Sequence, residues 1–275
     1  MSKTNKTTTN KNTKEQNQSE ANSVKLTKWQ AFKKEWGGFI LLLLALFTFR
    51  SVIADWNAVP TGSMKPTIYE GDRIWVNKLA YGLRVPFTDI RIKTLGEPKR
   101  GEIVVFPEPL SGKRYIKRVI GIEGDVIEVR DNLVYLNGEK LQYSSFTDDE
   151  LGAVANIPSS ERYNDSIDNA FVYLHEKLDD KTYSIRMANP NFYPKIRTAD
   201  FGPVTVPEGH ILFMGDNRDE SSDSRYFGHF KPQYTFIPTN TLIGKATRVA
   251  WSHDYDNYYI PRKERFFKPI DELPE

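Results

Sequence analysis

The chain has 275 residues, with 38 Lys+Arg against 36 Asp+Glu and a formal net charge of +2. A general duplex binder would be clearly basic, so this near-balance argues against nucleic acid as a partner. Hydrophobic residues at 39% supply a sizeable core and exclude wholesale disorder, 27% charged residues exclude a polytopic membrane protein, and the absence of cysteine removes disulfides, thiolate catalysis and Cys-ligated metal sites.

Residues 1–28 are rich in Lys, Asn, Thr, Ser and Gln. They cannot bury enough surface to offset their ordering entropy, so a disordered tail is predicted over residues 1–35. Residues 1–36 hold eight Lys (3, 6, 11, 14, 25, 28, 33, 34) and three Glu (15, 20, 35). The run Trp36–Trp56 follows, 21 residues that as a helix span about 31 Å, the thickness of a bilayer core. A Trp at each end suits the two interfaces, and Arg50, about 9 Å from the outer end, is placed to snorkel outward. A transmembrane helix over 36–56 is therefore predicted. Lysines flank only its N-terminal side, which puts the tail in the cytosol and the rest of the chain outside. A cleaved signal peptide fits less well, because the n-region is long and Ala54-Asp55-Trp56 breaks the small-x-small pattern. A buried helix of a soluble domain is the remaining rival for this run.

After Trp56 the pattern shortens to strand-like pieces. Arg73–Val76, Ile103–Phe106, Tyr115–Ile122, Val126–Val129, Leu133–Leu136, Ile211–Met214 and Leu242–Val249 carry β-branched or aromatic residues between Gly, Pro, Asp and Asn. Asn137-Gly138 is a hairpin signal. Residues 143–203 are more polar and read as an insertion that splits the β core into 57–142 and 204–275. The predicted fold is mainly β: an antiparallel, barrel-like β domain with an inserted smaller subdomain, preceded by one transmembrane helix. The aromatic-rich stretch Trp251–Phe267 reads either as a bilayer-surface contact or as edge strands on the core.

Three segments carry chemistry. Val59-Pro-Thr-Gly-Ser-Met-Lys-Pro-Thr67 follows the anchor; two prolines and a glycine fix an irregular backbone around Ser63. In Tyr115-Ile-Lys-Arg-Val-Ile-Gly121, strand alternation puts Tyr115, Lys117 and Val119 on one face and Ile116, Arg118 and Ile120 on the other, so one of two adjacent cations points into an apolar layer. Gly215-Asp-Asn-Arg-Asp-Glu-Ser-Ser-Asp-Ser-Arg-Tyr-Phe-Gly228 packs acids, Arg and Ser into one loop. That loop departs from EF-hand spacing, and its two Arg residues argue against a dedicated cation site.

Taken with Gly71-Asp-Arg-Ile-Trp-Val-Asn-Lys78 and Arg100-Gly-Glu-Ile-Val-Val-Phe106, these segments occur in the order and setting of bacterial type I signal peptidases, which the chain resembles over about residues 36–251, apart from most of 143–203. The resemblance implies a catalytic β domain with a Ser/Lys dyad that releases secretory signal peptides, Ser63 being the nucleophile and Lys117 the general base. It implies oxyanion donors at the Ser63 N–H and the Thr61 hydroxyl. Ser221 would orient the lysine, Asp216, Asp223 and Arg225 would form a supporting ion-pair network, and Val59, Met64, Ile68, Tyr115 and Ile116 would line small pockets that select Ala-x-Ala sites. The implied partners are signal peptides of secretory preproteins and the phospholipid bilayer, with no cofactor, no metal and no nucleic acid. The implied location is the bacterial cytoplasmic membrane, with a single pass. Thr61, Glu220 and Phe227 depart from the family's commoner residues, and one span stands where many Gram-negative members have two.

The chemistry makes demands on the lysine. At an ordinary pKa of about 10.4 it is neutral in roughly 1 of 2,500 molecules at pH 7, and lowering that by about three units costs on the order of 4 kcal/mol. Burial beside Tyr115 and Val119 is the expected source of the shift. Lys65, only two residues from Ser63, is poorly placed to turn back onto that hydroxyl. A Ser/His/Asp triad built on His175, His210, His229 or His253 is the rival constellation, but none of the four sits in a recognisable triad motif. Two further functions compete with signal-peptide cleavage. One is a protease that cleaves itself or one dedicated partner. The other is a non-catalytic tethered β module, which would leave Lys117 solvated and far from Ser63.

Overall fold

The computed structural model describes residues 27–88, 90–155, 170–191, 199–255 and 258–270. Most of the tail predicted to be disordered falls on residues 1–26, outside the described residues, as do 156–169 and 192–198 of the predicted insertion. The chain divides into two units, residues 1–48 and residues 49–275.

The unbroken apolar run Phe39–Phe47 lies in helix α1 (Lys28–Val52). Its leucines Leu41 and Leu42 are exposed, and the helix is long and apolar enough to cross a membrane. It begins at Lys28 rather than Trp36 and stops at Val52 rather than Trp56, which corrects the predicted bounds. The early stop has a tertiary cause. Asp55 is buried and accepts hydrogen bonds from Arg50 Nε and Arg114 Nη1, each at 2.9 Å. Lys78 Nζ donates to the carbonyls of Arg50 and Ser51 at 3.2 and 3.1 Å, satisfying the helix C-terminus. The backbone then enters strand β1 (Ala54–Ala58), where Trp56 faces Trp75 of β2 (Asp72–Asn77). Arg50 lies 4.4 Å from the Trp56 ring instead of standing free.

The strands follow in chain order. β3 (Gly82–Arg84) and β4 (Arg91–Thr94) make a small hairpin, and β5 (Ile103–Pro107) and β6 (Arg114–Ile122) a longer one. β7 (Val126–Arg130), β8 (Leu133–Leu136) and β9 (Glu139–Lys140) form a meander that turns at Asn137-Gly138, both at positive φ. β10 (Gln142–Ser145), helix α2 (Asp148–Ala155), β11 (Phe171–Leu178) and β12 (Lys181–Ala188) come next. β13 (Phe201–Thr205), β14 (His210–Met214), helix α3 (Ser224–Phe230), β15 (Ile237–Pro238), β16 (Gly244–Asp254) and β17 (Ile260–Pro261) complete the chain.

The main sheet runs β1-β2-β16-β5-β6-β14-β15, with β17 paired to β16. Every pairing between named strands is antiparallel. The sheet is a path with two ends, β1 and β15, rather than a ring. β6 lies inside that path, and Lys117 stands opposite Val104 of β5 while Arg118 stands between Ile103 and Met214. An apolar cluster of Val59, Met64, Ile68, Ile74, Val76, Ile103, Val105 and Ile116 sits under the β1–β2 loop. Burial of each such side chain contributes about 1.5–3 kcal/mol, so a loop without regular structure is still fixed in place. Within the predicted insertion, β10, β11 and β12 form a three-stranded sheet. Its Leu178, Tyr183 and Ile185 share one cluster with Ile120, Leu212 and Met214 of the main sheet.

Candidate active site

Ser63 rides on the loop between β1 and β2. The loop is closed at its base by the Val59 N–H to the Asp72 carbonyl at 2.9 Å, and tightened by Lys65 N–H to Gly62 and Ile68 N–H to Met64 carbonyls at 3.0 and 2.9 Å. Met64 and Ile68 are buried in the core, while Ser63, just before Met64, is half-buried. Lys117 comes from the middle of β6, 54 residues away in sequence, and its Nζ lies 2.6 Å from Ser63 Oγ. The same Nζ is 3.1 Å from the Ile116 carbonyl, and the residue is only 4% exposed.

The segment after β14 closes the site from a third side. The Asn217 N–H donates to the Ser63 carbonyl at 3.1 Å and Asn217 Nδ2 to the Gly62 carbonyl at 3.0 Å. Gly215 passes so close that a Cβ there would stand 2.4 Å from the Ser63 carbonyl oxygen and 2.3 Å from Ser221 Oγ, which explains the glycine. Ser63 N–H donates to no group among the described residues.

Residues 33–251 match the family model described as signal peptidase, peptidase S26. The chain belongs to this family. Signal peptidase I of Pseudomonas fluorescens is 36% identical over 225 residues, covering 79% of this chain and 72% of that one. Signal peptidase I of Rickettsia massiliae is 34% identical over 235 residues, covering 80% and 82%. A crystal structure of a signal peptidase I from Enterococcus faecalis aligns at 28% identity with a TM-score of 0.29, covering 55% of this chain and 98% of that one.

In this S26 peptidase, burial pushes the Lys117 ammonium down from an ordinary 10.5 to about 8, against the opposing pull of Asp223 and Asp216. Those acids are occupied elsewhere. Arg118 grips Asp216 with Nε at 2.8 Å and Nη2 at 2.7 Å, both residues being 1% exposed, and Thr67 Oγ1 donates to Asp216 at 2.6 Å. Asp223 accepts from the Gly215 N–H at 3.0 Å and from Arg225 Nε and Nη2 at 3.0 and 2.9 Å. Burial works against the Asp223 charge, but Arg225 outweighs it and holds the carboxyl below the usual carboxylate range. Arg225 Nη1 goes on to Asn132 at 2.7 Å. Asp216, Asp223 and Arg225 are all buried but belong to two ion pairs, Asp216 with Arg118 and Asp223 with Arg225.

The remaining sequence candidates are placed less uniformly. Ser221 is buried beside Gly215, and the hydrogen-bond partners of Lys117 are Ser63 Oγ and the Ile116 carbonyl rather than the Ser221 hydroxyl. Thr61 is exposed two residues before Ser63. Val59, Met64, Ile68 and Ile116 are sealed in the apolar core, while Tyr115 is half-buried with its ring 5.0 Å from Lys117 Nζ. Lys65 is buried and pairs with Glu70 at 2.8 Å. His175, His210 and His229 meet Glu150, the Glu208 carbonyl and the Asp200 carbonyl, none of them at Ser63.

Three residues at the site have roles that their sequence motifs do not reveal. Strand alternation requires Arg118 and Lys117 to find different partners, but it does not say that Asp216 is the partner of Arg118. Asn217 and Thr67 each bond across more than 140 residues, to Gly62 and Asp216 respectively, so no local pattern marks them.

Proposed function

We propose that this S26 peptidase is a membrane-anchored serine endopeptidase that removes N-terminal signal peptides from exported preproteins after small-x-small sites. Ser63 is the nucleophile and Lys117 the general base. The single observation that carries the reading is a buried lysine amine 2.6 Å from a loop serine hydroxyl, with its proton affinity lowered by desolvation. The names of the matched relatives support the substrate class.

The geometry supports the following sequence. Neutral Lys117 Nζ takes the proton from Ser63 Oγ as that oxygen bonds to the scissile carbonyl carbon. The carbonyl oxygen becomes an oxyanion, for which the Ser63 N–H and the Thr61 hydroxyl are the donors. The C–N bond then breaks, and the Lys117 ammonium gives its proton to the leaving amine. Water repeats the attack on the acyl-enzyme with Lys117 again as base, releasing the carboxylate and restoring Ser63. Ser221, Asp216, Asp223 and Arg225 support the dyad, and Val59, Met64, Ile68, Tyr115 and Ile116 shape the ground against which an extended peptide packs its small side chains.

The catalytic core comprises residues 57–142 and 204–275, with 143–203 as an insert. The lysine-rich N-terminal side of α1 faces the cytosol, and the catalytic domain lies on the outer side of the cytoplasmic membrane. The eleven residues from Val52 to Ser63 reach at most about 38 Å, which keeps the nucleophile near the boundary where a bilayer-held signal peptide presents its cleavage site.

The test is cleavage of unrelated Ala-x-Ala preproteins by the purified full chain in detergent. Wild type is expected to cut the panel, and Ser63→Ala and Lys117→Ala each to lose at least about a thousandfold in kcat while remaining folded. Retained cleavage in either variant would refute the assignment.

A further inference from the structure

The loop that carries Ser63 is also held from a side beyond the family match, which ends at residue 251. After β16 the chain returns as β17 and makes a single turn at Lys263–Arg265. Two arginines of this segment are buried, although Tyr258, Tyr259, Ile260 and Phe267 around them are exposed. Arg265 donates from Nε to Asp72 Oδ1 at 3.0 Å and from Nη2 to Asp72 Oδ2 at 2.5 Å, and Nη2 also reaches the Thr67 carbonyl at 3.1 Å. Its guanidinium lies 4.7 Å from the Tyr69 ring, and Asp72 Oδ2 accepts the Tyr69 N–H at 2.9 Å. Arg262 Nη2 donates to the carbonyls of Glu70 and His253. The approach is so tight that a Cβ on Gly71 would stand 1.9 Å from the His253 carbonyl oxygen.

These contacts answer a physical need. The Thr67–Gly71 stretch has no strand ladder, yet its inward carbonyls must be satisfied. Only a guanidinium offers several donors in one rigid plane together with a charge to balance the buried Asp72. The consequences run to both members of the dyad. Thr67 gives its carbonyl to Arg265 and its hydroxyl to Asp216, and Asp216 holds Arg118, the neighbour of Lys117 on β6. Met64 and Ile68, bonded to each other through their backbones, carry the position of that turn back to Ser63.

We propose that Arg265, with Arg262 beside it, is a positioning residue that fixes the Thr67–Asp72 turn and thereby the Ser63 hydroxyl against the Lys117 amine. The inference rests on Ser63 and Lys117 being the dyad.

The experiment uses the full chain in detergent. It reads kcat and KM on an Ala-x-Ala preprotein and amide hydrogen exchange over residues 62–72, for wild type, Arg265→Lys and Arg265→Ala. A lysine keeps a charge for Asp72 but lacks the fork that also reaches Thr67. R265K is therefore expected to fold, to lose about tenfold in kcat with KM within about threefold, and to exchange faster over 64–71. R265A is expected to lose about a hundredfold. A merely structural role would lower the folded fraction and leave the kcat of the folded protein unchanged. If R265A does not fold, R265K decides. Folded R265K with unchanged kcat and unchanged exchange would overturn the proposal. If wild type cleaves no preprotein, the dyad assignment falls on that result, and exchange in R265K still decides the clamp: faster exchange supports it and unchanged exchange overturns it.

Discussion

Lys117 and Arg118 are neighbours on β6 and both are buried, yet they meet opposite kinds of partner. Arg118 is paired with Asp216 at 2.7 Å, whereas Lys117 has no carboxylate within ion-pair distance among the described residues and stands 2.6 Å from the Ser63 hydroxyl. A permanently charged guanidinium is neutralised by an acid, and a titratable amine is left unpaired so that burial can remove its proton. Adjacent positions on a strand point to opposite faces, which separates the two environments.

The first consequence concerns rate against pH. Below about 8 the folded Lys117 holds its proton and has no lone pair for Ser63; above it the amine is free. The kcat/KM for a preprotein is expected to rise about tenfold per pH unit below 8 and to level off above it. A pH–rate profile on the purified enzyme checks this, and a rise centred near the ordinary lysine value would contradict it.

The second concerns stability. The unfolded chain binds the Lys117 proton more tightly than the folded chain does, with values of 10.5 against about 8. The burial penalty, about 3 kcal/mol, is therefore fully present below pH 8 and fades as pH rises from 8 to 10.5. Lys117→Met is expected to melt higher than wild type at pH 7, with the gap narrowing by pH 10. Calorimetry at the two pH values measures it.

The third concerns the Arg118–Asp216 ion pair beside Lys117. Asp216→Ala removes the carboxylate that grips the buried Arg118 and is expected to destabilise the fold by about 3–5 kcal/mol. Replacing both, Asp216→Leu with Arg118→Met, is expected to recover much of that loss. Denaturant unfolding of the single and double variants makes the comparison.

The fourth concerns Gly215. An alanine Cβ there would press on the Ser63 carbonyl and on Ser221 Oγ at distances below van der Waals contact. Gly215→Ala is expected to fold, to lose about 1–3 kcal/mol of stability and to lower kcat more than it raises KM. Steady-state kinetics beside a thermal melt separates the two effects.

Much of the fold is legible in the sequence because it is written locally. Short runs of β-branched and aromatic residues bounded by turn residues announce β5, β6, β7 and β14, and Asn137-Gly138 announces the β8–β9 turn. The end of α1 is not legible in the same way, because Asp55 and Trp56 look like a membrane interface in a helical reading. Their true partners, Arg114 and Trp75, are supplied by distant strands. At the site, Ser63 and Lys117 are marked by their motifs. The hold of Asn217 on Gly62, and that of Arg265 on Asp72 across 193 residues, depend on chain folding that no window of sequence displays.

The most direct measurement is an NMR titration of the Lys117 side chain, with isotope-labelled lysine and Lys117→Met to assign the resonance. A midpoint near 8 in the folded wild-type protein is expected. A midpoint near 10.5, with the amine cationic throughout the pH range in which cleavage occurs, would contradict the assignment of Lys117 as the base that activates Ser63.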